Sequence, residues 1–430
     1  MRAALLLLPL FLTAPLAAQT PVPLDEALRL ARVQAADVLR ADADVLASRA
    51  SVEAAADRRW PALSLRAGGG QRYGLAFDQT SGDLTQATVE SVDLGLDADY
   101  VVYDGGARAA DARAARAGLD AARLGRDRAA RRAEAAVVGG YLDAARARAA
   151  RDVALADAEA QRDLLAAVRV QVEFGERPAS ETAQQEERVA AARGAALAAE
   201  RDLALAEARL VRLLGLDPTG DYAFPAPPDA PTAAAAPDAD ALVREALGQR
   251  ADLRAAEAAV RAAEAERGAA RAGRRPTVSL GAYVGTGYSS AAGTSIPGQF
   301  GDNRAGALRL SVSLPVLDRG ASGAAVSRAE AQAAALRASA EDARRQAALD
   351  VREQVVALDA LAARAEVAEV RVRAARTAFD AERARYESGA ATLQDVTVLR
   401  ARLTDALAER ALVAVEGAFA PALLDVAVGR

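Results

Sequence analysis

The sequence contains no cysteine and no histidine among its 430 residues. The absence of cysteine excludes disulfide bonds, thiolate metal sites and cysteine nucleophiles. The absence of histidine excludes Ser-His-Asp triads and histidine-ligated metals. Only carboxylate chemistry remains, and no pair of acidic residues has a spacing that requires it. The sequence therefore predicts a protein that is not an enzyme and that holds no metal or cofactor.

Lysine is also absent, so all 54 basic residues are arginine, interspersed among 59 acidic residues. Genomic base composition is the simplest explanation of this bias. The formal net charge is −5 and the isoelectric point is near 5.3. An acidic chain without a basic cluster argues against a nucleic-acid partner.

Long hydrophobic runs are scarce. Arg2 precedes an apolar run from Ala3 to Leu12, and small residues follow as far as Ala18. This pattern predicts a secretory signal peptide over residues 1–18. We find no other stretch that approaches 18 apolar residues, so the sequence predicts no transmembrane helix. Any membrane contact is then expected to be made by strands.

One stretch organises the rest of the chain. From Val92 to Val102, apolar residues alternate with Asp and Gly, which is the period of a strand with one apolar and one polar face. The alternation ends at Tyr103-Asp104-Gly105-Gly106, where Gly and Asp favour a turn. From Ala107 the composition is rich in Ala, Arg, Leu and Glu, with no proline until Pro178. This run predicts a helix of about 66 residues, roughly 100 Å long.

The same unit occurs a second time. The strand pattern returns from Leu308 to Val316, and a second proline-free helix is predicted from Ala321 to about Tyr386. Asp318 follows Asp104 by 214 residues, and Gly389 follows Gly175 by the same interval. We interpret this as an internal duplication. The predicted organisation is a first repeat over residues 19–218, a Pro/Ala-rich linker over 219–239 and a second repeat over 240–430.

Each repeat is predicted to contain a helix, a β-hairpin, the long helix and a return helix. The first helices are predicted over Leu24 to about Arg59 and Asp240 to Gly273, the hairpin loops over Gln71 to Gln86 and Tyr288 to Asn303, and the return helices over Ser180 to Leu214 and Thr392 to about Phe419. The predicted fold class is mainly α with a small β part.

The predicted strands, each of about 10–13 residues, are long enough to cross a bilayer when tilted. Four strands cannot close a barrel by themselves, and hydrocarbon does not tolerate an open sheet edge. A membrane location therefore requires several chains to share one barrel. The alternative is a protein without a pore, such as a coiled coil that carries hairpins.

The chain contains several local motifs, namely Trp60-Pro61-Ala62-Leu63-Ser64-Leu65, Tyr103-Asp104-Gly105-Gly106, Leu213-Leu214-Gly215, and Tyr386-Glu387-Ser388-Gly389 followed by Leu393-Gln394-Asp395-Val396. In this order and doubled, they resemble the TolC-type outer-membrane efflux family over the whole mature chain. The resemblance implies a homotrimer whose chains each give four strands to a 12-stranded transmembrane β-barrel. It also implies a long α-helical barrel through the periplasm.

The resemblance implies three sets of functional residues. The lumen-facing strand residues are Asp93, Asp97 and Asp99. The helical tips that contact a periplasmic adaptor protein include Gly175, Arg177, Pro178, Gly389 and Thr392. The periplasmic gate falls at Asp395, Val398 and Glu181.

Each of these assignments has an ordinary alternative. Asp395 lies six residues after Gly389, where relatives carry an acidic gate residue, yet it could equally be a charge at a helix N-terminus. Val398 stands where some relatives have a second acid, which puts a double acidic ring in doubt. Glu181 has the equivalent place in the first half, with Arg177 available to pair with it. A polar strand face is explained equally well by solubility.

The expected function is that of a passive exit duct from the periplasm, the outer-membrane component of a tripartite efflux or type I secretion system. The implied partners are a periplasmic adaptor protein, an inner-membrane pump and outer-membrane lipid. The implied location is the outer membrane of a Gram-negative-type bacterium, with an extension into the periplasm. The second interpretation is a periplasmic coiled-coil adaptor or scaffold protein without a pore.

Overall fold

The computed structural model describes residues 20–77, 83–225, 237–292 and 295–430. The predicted signal peptide over residues 1–18 lies outside the described residues. So does the central part of the predicted linker, residues 226–236.

Helices account for most of the described chain, as the composition predicts. The α-helices are α1 (Leu24–Gln34), α2 (Ala36–Asp57), α3 (Ala107–Glu173), α4 (Ala179–Leu214), α5 (Ala239–Gln249), α6 (Ala251–Ala272), α7 (Ile296–Asp302), α8 (Ala321–Glu387) and α9 (Leu393–Val428). The strands are β1 (Thr20–Pro21), β2 (Ala62–Phe77), β3 (Leu84–Tyr103), β4 (Tyr222–Ala223), β5 (Thr277–Ser289) and β6 (Ala305–Ser313). The two long helices α3 and α8 each have 67 residues, which confirms the long helices predicted from the two proline-free runs.

The chain forms two compact units, and each contains segments of both repeats. Among the described residues, the helical unit comprises 20–42 together with Gly125–Asp252 and Arg344–Arg430. The sheet unit comprises Ala43–Leu124 and Leu253–Ala343.

The sheet unit is built on one antiparallel four-stranded sheet of order β2-β3-β5-β6. Leu65 lies opposite Leu96, and Leu96 lies opposite Val284. Leu280 lies opposite Leu310. The alternation in each strand therefore places the apolar residues on one face of the sheet, and many of the large ones are exposed, whereas Val278 and Leu280 are partly buried. These exposed residues include Leu63, Leu65, Leu94, Leu96, Val284, Leu308, Leu310 and Val312.

Four segments connect the sheet to the helices, and we call their common border the joint edge. The segments are 57–61, 104–108, 271–276 and 314–320. They share one edge because Ala62 pairs with Asp99 and Thr277 with Ser313, so two strands begin where two others end. Gly105 has φ 66°, and a Cβ there would lie 2.2 Å from the Cβ of Arg275. Glycine is thus required at this position.

The largest core lies in the helical unit. Tyr141 is 1% exposed, packs edge-on against Phe224 at 5.7 Å between ring centroids, and donates a hydrogen bond of 2.6 Å to the carbonyl oxygen of Val22. Strands β1 and β4 pair in parallel beside it. The first part of the predicted linker is therefore a paired strand, because Tyr222 and Phe224 have apolar partners in this core.

The two first helices are each broken, which the sequence analysis did not predict. Ala35 (ψ 133°) separates α1 from α2, and Arg250 (ψ 126°) separates α5 from α6. Neither position carries proline or glycine. At the second break, the Arg250 guanidinium donates to Asp252, to Asp350 at 2.8 Å and to the carbonyl oxygen of Ala427. Two of these partners, Asp350 and Ala427, are tertiary, and they accompany the interruption of the helix in place of a local breaker residue.

The first predicted loop was too long, and the second contains a helix. Strand β2 continues to Phe77 and β3 begins at Leu84, while α7 occupies much of the second predicted loop. Strand β6 ends at Ser313 and not at Val316, since Pro315 cannot donate to a ladder.

Helix α9 extends to Val428, beyond the predicted end near Phe419. It passes through Pro421 because Phe419, Ala427 and Val428 on either side are buried in the helical unit. By length and composition α9 is also apolar enough to cross a membrane, so the expectation that no such stretch exists was wrong. Residues of α9 that are buried among other helices explain part of this composition, whereas most of the apolar window is not covered within the chain.

Candidate functional site

The first helical tip is the turn between α3 and α4. Gly175 has φ 76°, and its backbone N–H donates to the carbonyl oxygen of Val172 at 3.0 Å. Pro178, with φ −74°, is the N-cap residue of α4. Gly175, in the left-handed conformation, reverses the chain, and its N–H satisfies a carbonyl group at the end of α3. The turn therefore lies where Gly175 and Pro178 predict it. Gly175 and Pro178 are exposed, and Arg177 is partly buried.

The second tip, between α8 and α9, is built differently. Gly389 has φ 82°, and Thr392 is the N-cap residue of α9. The Thr392 hydroxyl donates to Asp395 at 2.6 Å, and the Asp395 backbone N–H donates to that hydroxyl at 3.2 Å. The Asp395 carboxylate also accepts the Thr392 backbone N–H, which completes a capping box. The hydrogen bond from the Thr392 side chain lowers the pKa of Asp395 below its ordinary value.

One tyrosine ties the two tips together within a single chain. Tyr386, in the last turn of α8, is 2% exposed, and its hydroxyl donates to the Glu181 carboxylate at 2.7 Å. Burial and the neighbouring Glu181 carboxylate raise the pKa of Tyr386, so the phenol remains a donor. The Arg177 guanidinium lies 4.2 Å from the centre of the Tyr386 ring and donates to the Tyr386 carbonyl oxygen. We call these three residues the tip clasp.

An apolar cluster surrounds the Tyr386 ring of the tip clasp. Tyr386 is buried in a cluster with Val168 of α3 and with Leu393 and Val396 of α9. The partly buried residues around it are Leu164, Val172, Phe379 and Ala391. The contact between the tips therefore rests on a small core shared by the ends of α3, α8 and α9, and α4 is joined to it through Glu181.

The structure separates the three predicted gate residues. Asp395 and Val398 are both exposed and lie three residues apart on α9, while Val396 and Thr397 between them are buried. Asp395 and Val398 thus share a helix side that faces away from the chain's own core. Glu181 is partly buried and is held by Tyr386. Arg177, which was available to pair with Glu181, lies against the Tyr386 ring and donates to the Tyr386 carbonyl oxygen.

Sequence reasoning missed two features of the tips. Tyr386 entered only as a landmark of the duplication, and its role as a contact between tips depends on packing that the sequence does not display. Gln185, one turn beyond Glu181 on α4, is fully buried and donates to the side-chain oxygen of Gln161 at 2.8 Å. A glutamine in an otherwise charged helix gives no signal of burial.

The predicted acidic strand residues Asp93, Asp97 and Asp99 all lie on the face of β3 opposite Val92, Leu94 and Leu96. Asp97 lies 3.1 Å from Arg66 of β2 and opposite Tyr283 of β5. The Tyr283 ring covers Gly95, where a Cβ would lie 2.6 Å from it. This polar face therefore holds an arginine–aspartate pair beside an aromatic ring on three neighbouring strands.

A family model for the outer membrane efflux protein matches residues 27–216 and 242–428. The two matched segments together span most of the chain and confirm its duplication. The precise repeat boundaries and the linker remain predictions from the sequence. No curated protein sequence matches the chain significantly.

Solved structures show the same fold. The outer membrane protein VceC of Vibrio cholerae is 22% identical with a TM-score of 0.77, over 94% of this chain and 96% of that one. The CmeC outer membrane channel of Campylobacter jejuni is 16% identical with a TM-score of 0.80, over 94% of this chain and 85% of that one. The open state of the Neisseria gonorrhoeae MtrE outer membrane channel is 23% identical with a TM-score of 0.71, over 94% and 88% respectively.

These matches confirm the resemblance to TolC-type proteins and the fold class of long helices joined to a small antiparallel sheet. They support an outer-membrane location and a channel role in efflux, and they disfavour an enzyme and an adaptor without a pore. The chain belongs to the outer membrane efflux protein family.

Proposed function

We propose that three copies of this chain form a passive exit duct from the periplasm to the exterior. The duct is the outer-membrane component of a tripartite efflux or type I secretion system, and an inner-membrane pump supplies the energy. The observation that carries this proposal is the four-stranded sheet, which has one exposed apolar face and is joined to two helices of 67 residues.

The sheet requires partners if its apolar face meets lipid. Strands β2 and β6 are its edges, and each leaves backbone N–H and C=O groups on one side without a ladder partner in the sheet. Such groups cost several kcal/mol each in hydrocarbon, so an open edge is not tolerated there. Pairing β2 of one chain with β6 of the next satisfies both edges. Three chains then give twelve strands, with Asp93, Asp97 and Asp99 facing the lumen.

The periplasmic gate is formed by the side of α9 that faces away from the core of its own chain. Asp395 and Val398 lie on the side of the helix that its own chain leaves exposed. Around a three-fold axis, the three Asp395 carboxylates attract cations and narrow the entrance electrostatically. Val398 adds an apolar constriction where a second acid would stand. The Thr392 hydrogen bonds fix the direction of the Asp395 carboxylate.

The tip clasp holds the entrance closed. It joins the start of α4 to the end of α8 through the Tyr386–Glu181 hydrogen bond and the Arg177 stacking. Moving one helical pair away from the other breaks these contacts. Adaptor docking at the tips supplies the binding energy that offsets their loss.

The two tips offer the adaptor different surfaces. The first presents Gly175, Arg177 and Pro178, and its cap residue is a proline without a side-chain hydrogen bond. The second presents Gly389 and Thr392, and Thr392 is held in a capping box. We expect the adaptor to distinguish them, with Arg177 as the charged contact.

The gate assignment is tested by conductance in planar bilayers. Asp395→Asn keeps the size and an acceptor of the side chain but removes the charge, so the closed state should lose its block by divalent cations. Asp359→Asn removes the same charge from an exposed site on α8, off the side of α9 that carries Asp395 and Val398, and serves as the matched control. Unchanged block in Asp395→Asn would exclude Asp395 as the constriction.

A further inference from the structure

We propose that the joint edge of the sheet unit is a docking surface for anionic phospholipid headgroups. The occupant is the membrane leaflet on the side of the helices. This inference rests on the proposed membrane location of the sheet and adds a lipid preference to it.

The joint edge carries more positive charge than the rest of the chain. Its four segments contain seven arginines and three aspartates, whereas the whole chain has a net charge of −5. Two of the aspartates are already used as helix caps. Asp104 accepts the backbone N–H of Arg108 at 2.8 Å, and Asp318 accepts that of Ser322 at 2.8 Å.

Three arginines of this edge are available to a ligand. Arg59, Arg274 and Arg319 are exposed, and within the described ranges of the chain no carboxylate lies at salt-bridge distance from them. By contrast, Arg58 pairs with Asp111 at 2.7 Å. We call the first three residues the arginine rim.

The arginine rim includes a residue whose backbone conformation disfavours a side chain, and two residues at equivalent positions of the two repeats. Arg319 has φ 53°, and within the described residues it is the one non-glycine residue with positive φ. The equivalent residue of the first repeat is Gly105, which lies 214 positions earlier. A left-handed conformation disfavours most side chains, so Arg319 carries a strain that the equivalent glycine does not. Arg59 and Arg274 are also equivalent, being 215 residues apart and each two positions before a proline.

Exposed apolar side chains lie beside the arginine rim in the sequence. Trp60 is 66% exposed, Val316 is 87% exposed and Leu317 is 91% exposed. The Arg59 guanidinium lies 5.6 Å from the centre of the Trp60 ring. Aromatic and basic side chains in combination suit the boundary between acyl chains and phosphates. The edge also continues the exposed apolar face of the sheet, so the acyl chains meet apolar surface where the headgroups meet arginine.

Trp60 provides the probe, because it is the only tryptophan in the chain. The full-length protein is reconstituted in phosphatidylcholine vesicles that contain a minor fraction of phosphatidylglycerol. Bromine is placed on the acyl chains of one lipid or the other, and quenching of Trp60 fluorescence gives the relative affinity of each lipid for this edge.

We expect phosphatidylglycerol to be favoured by roughly fivefold, the preference that one arginine at a charged surface gives. The preference should weaken as ionic strength rises. It should fall toward one in the triple variant Arg59→Gln, Arg274→Gln, Arg319→Gln. The control triple variant Arg162→Gln, Arg193→Gln, Arg373→Gln removes the same charge from exposed sites on α3, α4 and α8 and should keep it. Arg319→Gly removes one charge while relaxing the backbone, so a lowered preference there reports charge and not misfolding.

Equal quenching by both lipids in the wild type overturns the inference. Absence of quenching by either lipid also overturns it, because Trp60 would then be covered by a second copy of the chain. If the control variant loses the lipid preference to the same extent as the rim variant, the preference comes from net charge alone and not from the joint edge. The conductance of the same vesicles tests the proposed function separately. A conducting channel without lipid preference refutes only this inference. A chain that does not insert into the vesicles refutes both.

Discussion

Replacing Tyr386 by phenylalanine removes one oxygen atom from the tip clasp and leaves its ring in place. The lost contact is the 2.7 Å hydrogen bond to the Glu181 carboxylate. Hydrogen bonds to charged groups contribute about 1.5–3 kcal/mol when buried. Because Glu181 is only partly buried and regains water, we take about 1 kcal/mol for each chain.

If the three chains open together, the closed state loses about 3 kcal/mol, which raises the ratio of open to closed channels by roughly 100-fold. The measurement is the open probability of single channels in planar bilayers without an adaptor. We expect rare openings in the wild type and frequent openings in Tyr386→Phe. The conductance of each opening should be unchanged, since the substitution alters no residue proposed to face the lumen.

Tyr141→Phe is the matched control. Tyr141 is 1% exposed and donates a 2.6 Å hydrogen bond to Val22, in the main core of the helical unit. Its loss should lower the free energy of unfolding by about 1 kcal/mol without changing the open probability. An open probability that is the same in Tyr386→Phe and in the wild type, or that rises equally in Tyr141→Phe, would show that the tip clasp does not hold the entrance closed.

Three further predictions follow from the tips and the sheet. In Thr392→Val the pKa of Asp395 should rise, because the hydroxyl hydrogen bond that lowers it is gone. The cation block should therefore disappear at a higher pH than in the wild type as the solution is acidified, and an identical titration would contradict this. Gly105→Ala should reduce the amount of folded protein, since its Cβ would overlap Arg275. If the variant is recovered from membranes in the same amount as the wild type, the steric argument is refuted. Leu65→Arg should destabilise the sheet by about 1 kcal/mol through lipid exposure near the joint edge, whereas Ser64→Arg on the opposite face should be tolerated, as compared by the denaturant midpoint of the reconstituted protein.

The regular parts of the fold could be predicted because local patterns determine them. Alternation with a period of two defined the faces of the strands, and the absence of proline defined the two 67-residue helices. The tip glycines Gly175 and Gly389 marked the reversals of the chain. The duplication doubled each signal, so every element of one half supported its equivalent in the other.

The features that were missed depend on tertiary contacts. The helix breaks at Ala35 and Arg250 occur without a breaker residue, and Arg250 is held by Asp350 and Ala427, two partners that are remote from it in the sequence. The continuation of α9 through Pro421 depends on the burial of its flanking residues. At the tips, the capping box of Thr392 and Asp395 is local and readable. The Tyr386–Glu181 contact joins residues 205 positions apart, and only the packing of the helix ends brings them together.

The central claim, that chains share one barrel through their free sheet edges, can be tested with cysteine cross-linking. The chain has no native cysteine, so Leu65→Cys on β2 and Leu310→Cys on β6 introduce the only two thiols. These residues lie on opposite edges of one sheet, with β3 and β5 between them. Oxidation or a short thiol-reactive linker in membranes should give a ladder that ends at three chains, while either single variant should give no band beyond two. A double variant that remains a single chain under these conditions, and that has the mass of a monomer in detergent, would contradict the account.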